Sequence, residues 1–150
     1  MHKRPESGRR LNSRTGNSLV EFAFVLPWYV FLFMGSFDCG IYSYALVATQ
    51  EGVRMAAVNA SQNSSLAANA GAACTYVVGS LQGLPNMSGV STCSAAPITV
   101  TATYGAATGP DGGPVTTVTA VYTTPQLIPI PGLLPGQLTI TKTAKMRVKS

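Results

Sequence analysis

The sequence predicts an α+β protein with a long N-terminal transmembrane helix, a second short helix and a three-stranded antiparallel sheet in an exported head. Three features lead to this prediction: a basic tail ahead of an apolar run, small and apolar residues at helical spacing after it, and an alternation near the C-terminus that only Lys142 violates. We divide the chain into a basic cytoplasmic leader (residues 1–16), a hydrophobic helix with its exported extension (17–60) and an exported α+β head (61–150).

The composition indicates a chain that is largely shielded from water. Of 150 residues, 46% are hydrophobic and 10% are charged, whereas soluble domains carry about 25% charged residues. Much of the surface must therefore face lipid, other subunits or a dry interface. The basic residues cluster in the leader instead of spreading over a folded face between aromatic residues, which argues against nucleic-acid binding.

The first apolar run predicts a retained transmembrane helix. Residues 22–37 contain no charged residue, and including Leu19 and Val20 brings the run close to the 20 or so residues that a span requires. Basic residues ahead of the run keep residues 1–16 in the cytoplasm and export the rest. A cleaved secretory signal is the alternative, but Ala45 and Ala48 do not form an A-x-A cleavage pair.

Glu21 stands at the head of this run, in the stretch "RTGNSLVEFAFVLPW". A central carboxylate costs roughly 2.5–3.5 kcal/mol on insertion scales. Ser18 and Glu21 form an S-x-x-E capping box, in which Glu21 accepts from the backbone N–H of Ser18 at the start of a helix. This interpretation requires no special function.

Gly16 supports a second interpretation of the same carboxylate. The stretch "GNSLVEF" resembles the processing site of type IV pilins, where a basic leader ends in glycine and a membrane aspartyl peptidase cuts after it. The resemblance implies a cut between Gly16 and Asn17, which makes Glu21 the fifth residue of the mature chain. The freed ammonium of Asn17 would then neutralise Glu21 of the same or a neighbouring subunit.

A second motif narrows the resemblance to one family. "GNSLVEFAFVLP" and "ATQEGVRMAAV" together resemble the TadE-like pseudopilins of tight-adherence (Flp-type) pilus systems. Glu51, Gly52 and Arg54 match the E-G-x-R stretch that follows the membrane helix in that family. The resemblance covers residues 14–58, and Asp38 with Cys39 departs from it. The sister TadF-like group also fits, whereas TadG-like chains carry longer exported domains.

The resemblance implies a minor pseudopilin that takes part in assembling a tight-adherence pilus. Its partners would be membrane lipid, a prepilin peptidase, other pilins or pseudopilins and the Tad assembly platform. It would reside in the bacterial inner membrane with a cytoplasmic N-terminus and a periplasmic head, or enter the pilus. The alternative is a single-span, membrane-anchored periplasmic binding or adhesion module that is never processed.

Two further segments complete the helical part. The first helix is expected to continue to about Ala60, and Glu51 and Arg54 can pair on its surface, either as a solvated face or as a subunit contact. Ser64 or Ser65 is expected to cap a second helix that ends before Gly83.

The C-terminal third predicts three strands. Apolar and polar residues alternate over residues 98–104, 115–124 and 138–149, with a Gly- and Pro-rich hairpin loop between the first two. Residues 125–136, "PQLIPIPGLLPG", contain four prolines and cannot pair in a ladder. We interpret them as a loop over the sheet edge or helix, or as an exposed apolar contact with another component.

The few cysteines, histidines and acids limit the metal-binding and catalytic chemistry available to the chain. Cys74 and Cys93 are expected to form a disulfide in an oxidising periplasm, stabilising the head by about 3 kcal/mol, with free thiols as the alternative. His2 is the only histidine, so a zinc site is implausible. The acids form no obvious pair, no base can activate a serine, and a phosphate-binding loop is absent. We therefore expect no enzyme, no cofactor and no small-molecule substrate.

Overall fold

The computed structural model describes residues 15–126 and 136–149, with side chains from Ser18 onward. The elements follow in the order α1 (Thr15–Ala60), α2 (Ala70–Leu81), a short 3-10 helix (Pro85–Met87), β1 (Ser94–Ala95), β2 (Ile98–Gly105), β3 (Val115–Thr123) and β4 (Thr139–Arg147). Most of the predicted leader and most of the proline-rich segment 125–136 lie outside the described residues.

The long apolar helix, the short second helix and the antiparallel sheet are present as predicted, but the expectation of three strands is wrong. Over residues 15–126 and 136–149 the sheet has four strands, in the order β1-β2-β3-β4. The additional strand, β1, has two residues, both exposed, and pairs with the start of β2. A strand this short has no alternation of apolar and polar residues from which the sequence could reveal it.

The sheet is an antiparallel meander whose inner face is apolar. Val118 in β3 lies opposite Ala102 in β2 and Ala144 in β4. On the outer face Thr119 and Thr143 pair, with their hydroxyl oxygens 3.0 Å apart. The alternation of apolar residues with threonine therefore gives β3 one buried face and one more exposed face, and β2 and β4 follow the same pattern less completely, with Lys142 of β4 opposite Ala120.

Helix α2 begins later than the sequence suggested. Its N-cap is Asn69, whose side-chain oxygen accepts from the backbone N–H of Ala72 at 3.0 Å. The expected caps, Ser64 and Ser65, lie in the preceding turn, where the hydroxyl of Ser65 donates to the side-chain oxygen of Asn63 at 2.7 Å. Asparagine and serine compete for the same backbone donors, and local sequence does not decide between them.

One hydrophobic core forms within the compact unit Phe37–Ser150. This unit includes the second part of α1, whose buried residues are mostly alanines. The other contributions come from α2 and from the inner face of the sheet. Among the fully or almost fully buried residues are Ala45, Val53, Ala57, Val77, Leu81, Ile98, Val118 and Tyr122.

Tyr122 connects this core to the 3-10 helix. Its buried hydroxyl donates to the side-chain oxygen of Asn86, and the Asn86 amide donates to the carbonyl of Thr123 at 2.8 Å. Burial raises the pKa of the Tyr122 phenol above its ordinary value of 10.0, because the charged form would lose its hydration.

The raised pKa predicts a loss of stability at alkaline pH. Above pH 10 the unfolded chain releases the Tyr122 proton more readily than the folded chain, so the free energy of unfolding falls as pH rises. Tyr122→Phe should remove this part of the pH dependence. It should also lower stability near neutral pH by about 1–2 kcal/mol, because Asn86 loses a donor.

Thermal unfolding of the purified protein, near neutral pH and above pH 10, measures both effects. Tyr104→Phe is the control, since Tyr104 is 42% exposed. Equal alkaline sensitivity in the two variants would contradict the role given to Tyr122.

Candidate functional site

The N-terminal part of α1 exposes apolar side chains on every side. Leu19, Phe24, Trp28 and Phe33 are each at least 70% exposed. In the described part of the chain, α1 is the one helix long and apolar enough to cross a membrane. A helix that is apolar all round requires lipid or protein around it, so this segment fits a single-pass membrane protein.

Gly16 and Asn17 lie in the first turn of this helix. Because α1 begins at Thr15, Ser18 is already the fourth helical residue, and the predicted capping box is wrong for the uncut chain. An N-cap residue precedes the first helical position. A cut after Gly16 would make Asn17 the first residue of the helix.

Glu21 is exposed among these apolar side chains. The described residues place no basic group within ion-pair distance of it. Helical residues four positions apart lie on the same face, with Cβ atoms about 5–6 Å apart. After a cut, the ammonium group of Asn17 would therefore lie on the same side of the helix as Glu21 of the same chain.

Glu51 and Arg54 are exposed on the second part of α1. They do not pair with each other as expected: over residues 18–126 and 136–149, the one ion pair joins Asp111 to Arg147. Both charges are thus available to an external partner.

Gly52, between them in sequence, lies on the buried side of the helix. A Cβ atom on Gly52 would lie 3.0 Å from the Cα of Val77 and 3.2 Å from the Cβ of Ser80. Both residues belong to α2. The glycine of the E-G-x-R motif therefore permits the close approach of α1 and α2.

A cleft of about 390 Å³ lies beside the motif. Met55, Val58 and Gln62 of α1 line it, together with Tyr76 of α2. Asn59 donates its amide to the Tyr76 hydroxyl at 3.0 Å. The lining is mainly apolar, and Glu51 and Arg54 supply its only charges.

Cys74 and Cys93 form a disulfide in the structure. The S–S distance is 2.02 Å, the Cα atoms are 5.7 Å apart, and the bridge links α2 to the segment just before β1. Cys39 is a free and exposed cysteine. Among the residues that the structure describes, no three His, Cys, Asp or Glu side chains are grouped to hold a metal ion.

Asp38 is a residue whose environment the sequence did not reveal. It is 4% exposed, and its Oδ2 atom has no hydrogen-bond partner. Asp38 shares a helix face with Ala45, Thr49 and Gly52, which are all buried. This spacing of seven, four and three residues was the available signal that the carboxylate turns inward.

Residues 16–58 match the family described as TadE-like protein. This segment of the chain is TadE-like. The match begins at Gly16 and contains Glu21, Glu51, Gly52 and Arg54, so the predicted resemblance is confirmed for this segment. No curated protein and no solved structure matches the chain.

The close approach at Gly52 predicts an opposite response of two glycines to alanine. Gly52→Ala should lower the free energy of unfolding by about 1–3 kcal/mol, because the new methyl group meets the backbone of Val77. Gly79→Ala, in α2, should be neutral or stabilising by up to about 1 kcal/mol, because nothing lies within 4 Å of the added atom.

Thermal or urea unfolding of the two variants, compared with the unmodified protein, measures the difference. Equal stability of Gly52→Ala and Gly79→Ala would show that α1 and α2 do not approach closely at Gly52.

Proposed function

We propose that the protein is a minor pseudopilin of a tight-adherence pilus system, processed after Gly16 by a prepilin peptidase. In this proposal α1 anchors the chain in the bacterial inner membrane as a single span. The protein has a structural role in pilus assembly and catalyses no reaction. Its partners are membrane lipid, the prepilin peptidase, other pilins or pseudopilins and the Tad assembly platform.

One observation carries the proposal: the TadE-like match begins at Gly16 itself and continues along the apolar helix. The glycine, the acid five residues later and the exposed apolar surface thus occur together on one helix. A carboxylate at this position is costly in lipid unless a positive group accompanies it. Removal of the leader would supply that group as the amine of Asn17.

The proposed orientation of the chain in the membrane rests on the positive charge of residues 1–16. Residues 1–16 contain five basic residues and one acid, for a formal charge of +4, and basic flanks remain on the cytoplasmic side. The unit Phe37–Ser150 would then lie in the periplasm. The disulfide between Cys74 and Cys93 supports this assignment, because disulfides persist in oxidising compartments.

The alternative is a membrane-anchored binding or adhesion module without processing. It is favoured by the independent core and disulfide of the unit Phe37–Ser150. In that case Glu21 is only a polar residue near the end of an anchor. The state of the N-terminus separates the two proposals.

The proposed processing predicts where the mature chain begins. Protein isolated from host cells with an active prepilin peptidase should begin at Asn17, because the peptidase removes residues 1–16. Intact-mass and N-terminal peptide mass spectrometry measure this directly. Protein from cells that lack the peptidase is the control and should retain the leader. An intact leader in both strains would overturn processing and favour the anchored module.

The proposed pairing of Glu21 with the amine of Asn17 predicts an effect of removing the carboxylate. Glu21→Ala should reduce piliation by about tenfold or more, because the carboxylate that the Asn17 amine would neutralise in lipid is lost. Membrane insertion should be unchanged or improved, since a costly charge is lost. Pilus yield and the membrane-bound fraction are measured together.

Val20→Ala is the matched control, being an adjacent exposed residue without charge. It should leave piliation close to normal. Normal piliation in Glu21→Ala would refute the pairing of Glu21 with the amine of Asn17.

A further inference from the structure

The second part of α1 is apolar on two opposite faces. One face enters the core. The other carries Tyr44, Val47, Met55 and Val58, which are 51%, 60%, 54% and 46% exposed. With Glu51 in the middle, their spacing of three or four residues places them on one stripe of the helix. We call these five residues the exposed stripe.

Helix α2 contributes further apolar surface beside the exposed stripe. Tyr76 is 41% exposed and forms the far wall of the cleft beside Met55 and Val58. From Tyr44 to Val58 the stripe is about 21 Å long, at 1.5 Å per residue. A surface of this length and shape suits another helix better than a small molecule.

The charges on this surface are complementary to each other but unpaired. Glu51 lies on the stripe and Arg54 on its flank, about 4.5 Å further along the helix axis. Within residues 37–126, the charged residues other than these two are the buried Asp38 and the hairpin-loop Asp111. A surface with one acid and one base at this offset complements a second copy of itself.

We propose that the exposed stripe is the contact surface for a second copy of this chain, aligned in parallel. Glu51 of one copy pairs with Arg54 of the other, while Met55, Val58 and Tyr76 bury their apolar surface in the contact. The parallel alignment depends on the single-span anchoring in the proposed function, because all copies then insert in one orientation. It does not depend on cleavage after Gly16.

The contact is small by itself. Stable interfaces bury about 800 Å² on each partner, more than one helical stripe provides. Confinement in the same membrane raises the effective concentration of the two copies. The test therefore uses the full-length chain in membranes.

Cysteine cross-linking locates the contact. In a Cys39→Ser background, Val58→Cys should give a disulfide-linked dimer on mild oxidation. Thr101→Cys should give at least about fivefold less, because Thr101 is exposed on the outer face of the sheet, opposite Thr119. Cross-linking of Val58→Cys only to a different membrane protein, or no cross-link at all, would overturn the proposal.

Charge reversal tests the pairing. In the same Val58→Cys background, Glu51→Arg alone and Arg54→Glu alone should each reduce the dimer at least about fivefold, because each places like charges together. Co-expression of the two variants, with distinct epitope tags, should restore a mixed dimer. Failure of this rescue, with the Cys74 and Cys93 disulfide intact in both variants, would refute the pairing.

The result of the cross-linking experiment is independent of the result of the processing test. Cross-linking at Val58→Cys with an intact leader would support the self-contact and count against processing. A chain that begins at Asn17 but gives no dimer would leave the pseudopilin proposal standing and eliminate the self-contact.

Discussion

The close contact of α1 with α2 at Gly52 governs the arrangement of the unit Phe37–Ser150. Because Gly52 has no side chain, its backbone approaches Val77 to a distance that a methyl group would obstruct. This contact turns one face of α1 into the core and leaves the face with Glu51 outside. The same helix α2 carries Cys74, which is bonded to Cys93, and Tyr76, which borders the cleft.

Helix α1 has two kinds of surface along its length. Its first part exposes large apolar side chains all round, whereas its second part buries small residues on one face. Glu21 and Asp38 are the acids that this pattern does not accommodate: Glu21 is exposed among apolar residues, and Asp38 is buried with an unpaired oxygen. Functional or strained sites are where such local violations are expected in natural proteins.

The long helix and the longer strands could be predicted, because the spacing of apolar residues and the local composition can be read from a short stretch of sequence. The apolar run and the alternation around Val118 and Ile140 indicated the helix and the three longer strands. The two-residue β1 and the Asn69 cap were missed, because neither produces a periodic signal. Several residues near position 69 can accept the same backbone hydrogen bonds, and the choice between them depends on where α2 packs.

The sequence alone determined the TadE-like segment, its glycine and its acid, since these lie within a few residues of one another on one helix. It also determined that Glu51 and Arg54 are neighbours. Only the tertiary structure decided that these two charges remain unpaired, that Gly52 faces α2 and that Asp38 is buried. The physical reason is that burial and pairing depend on residues distant in sequence, which a helical or alternating period does not specify.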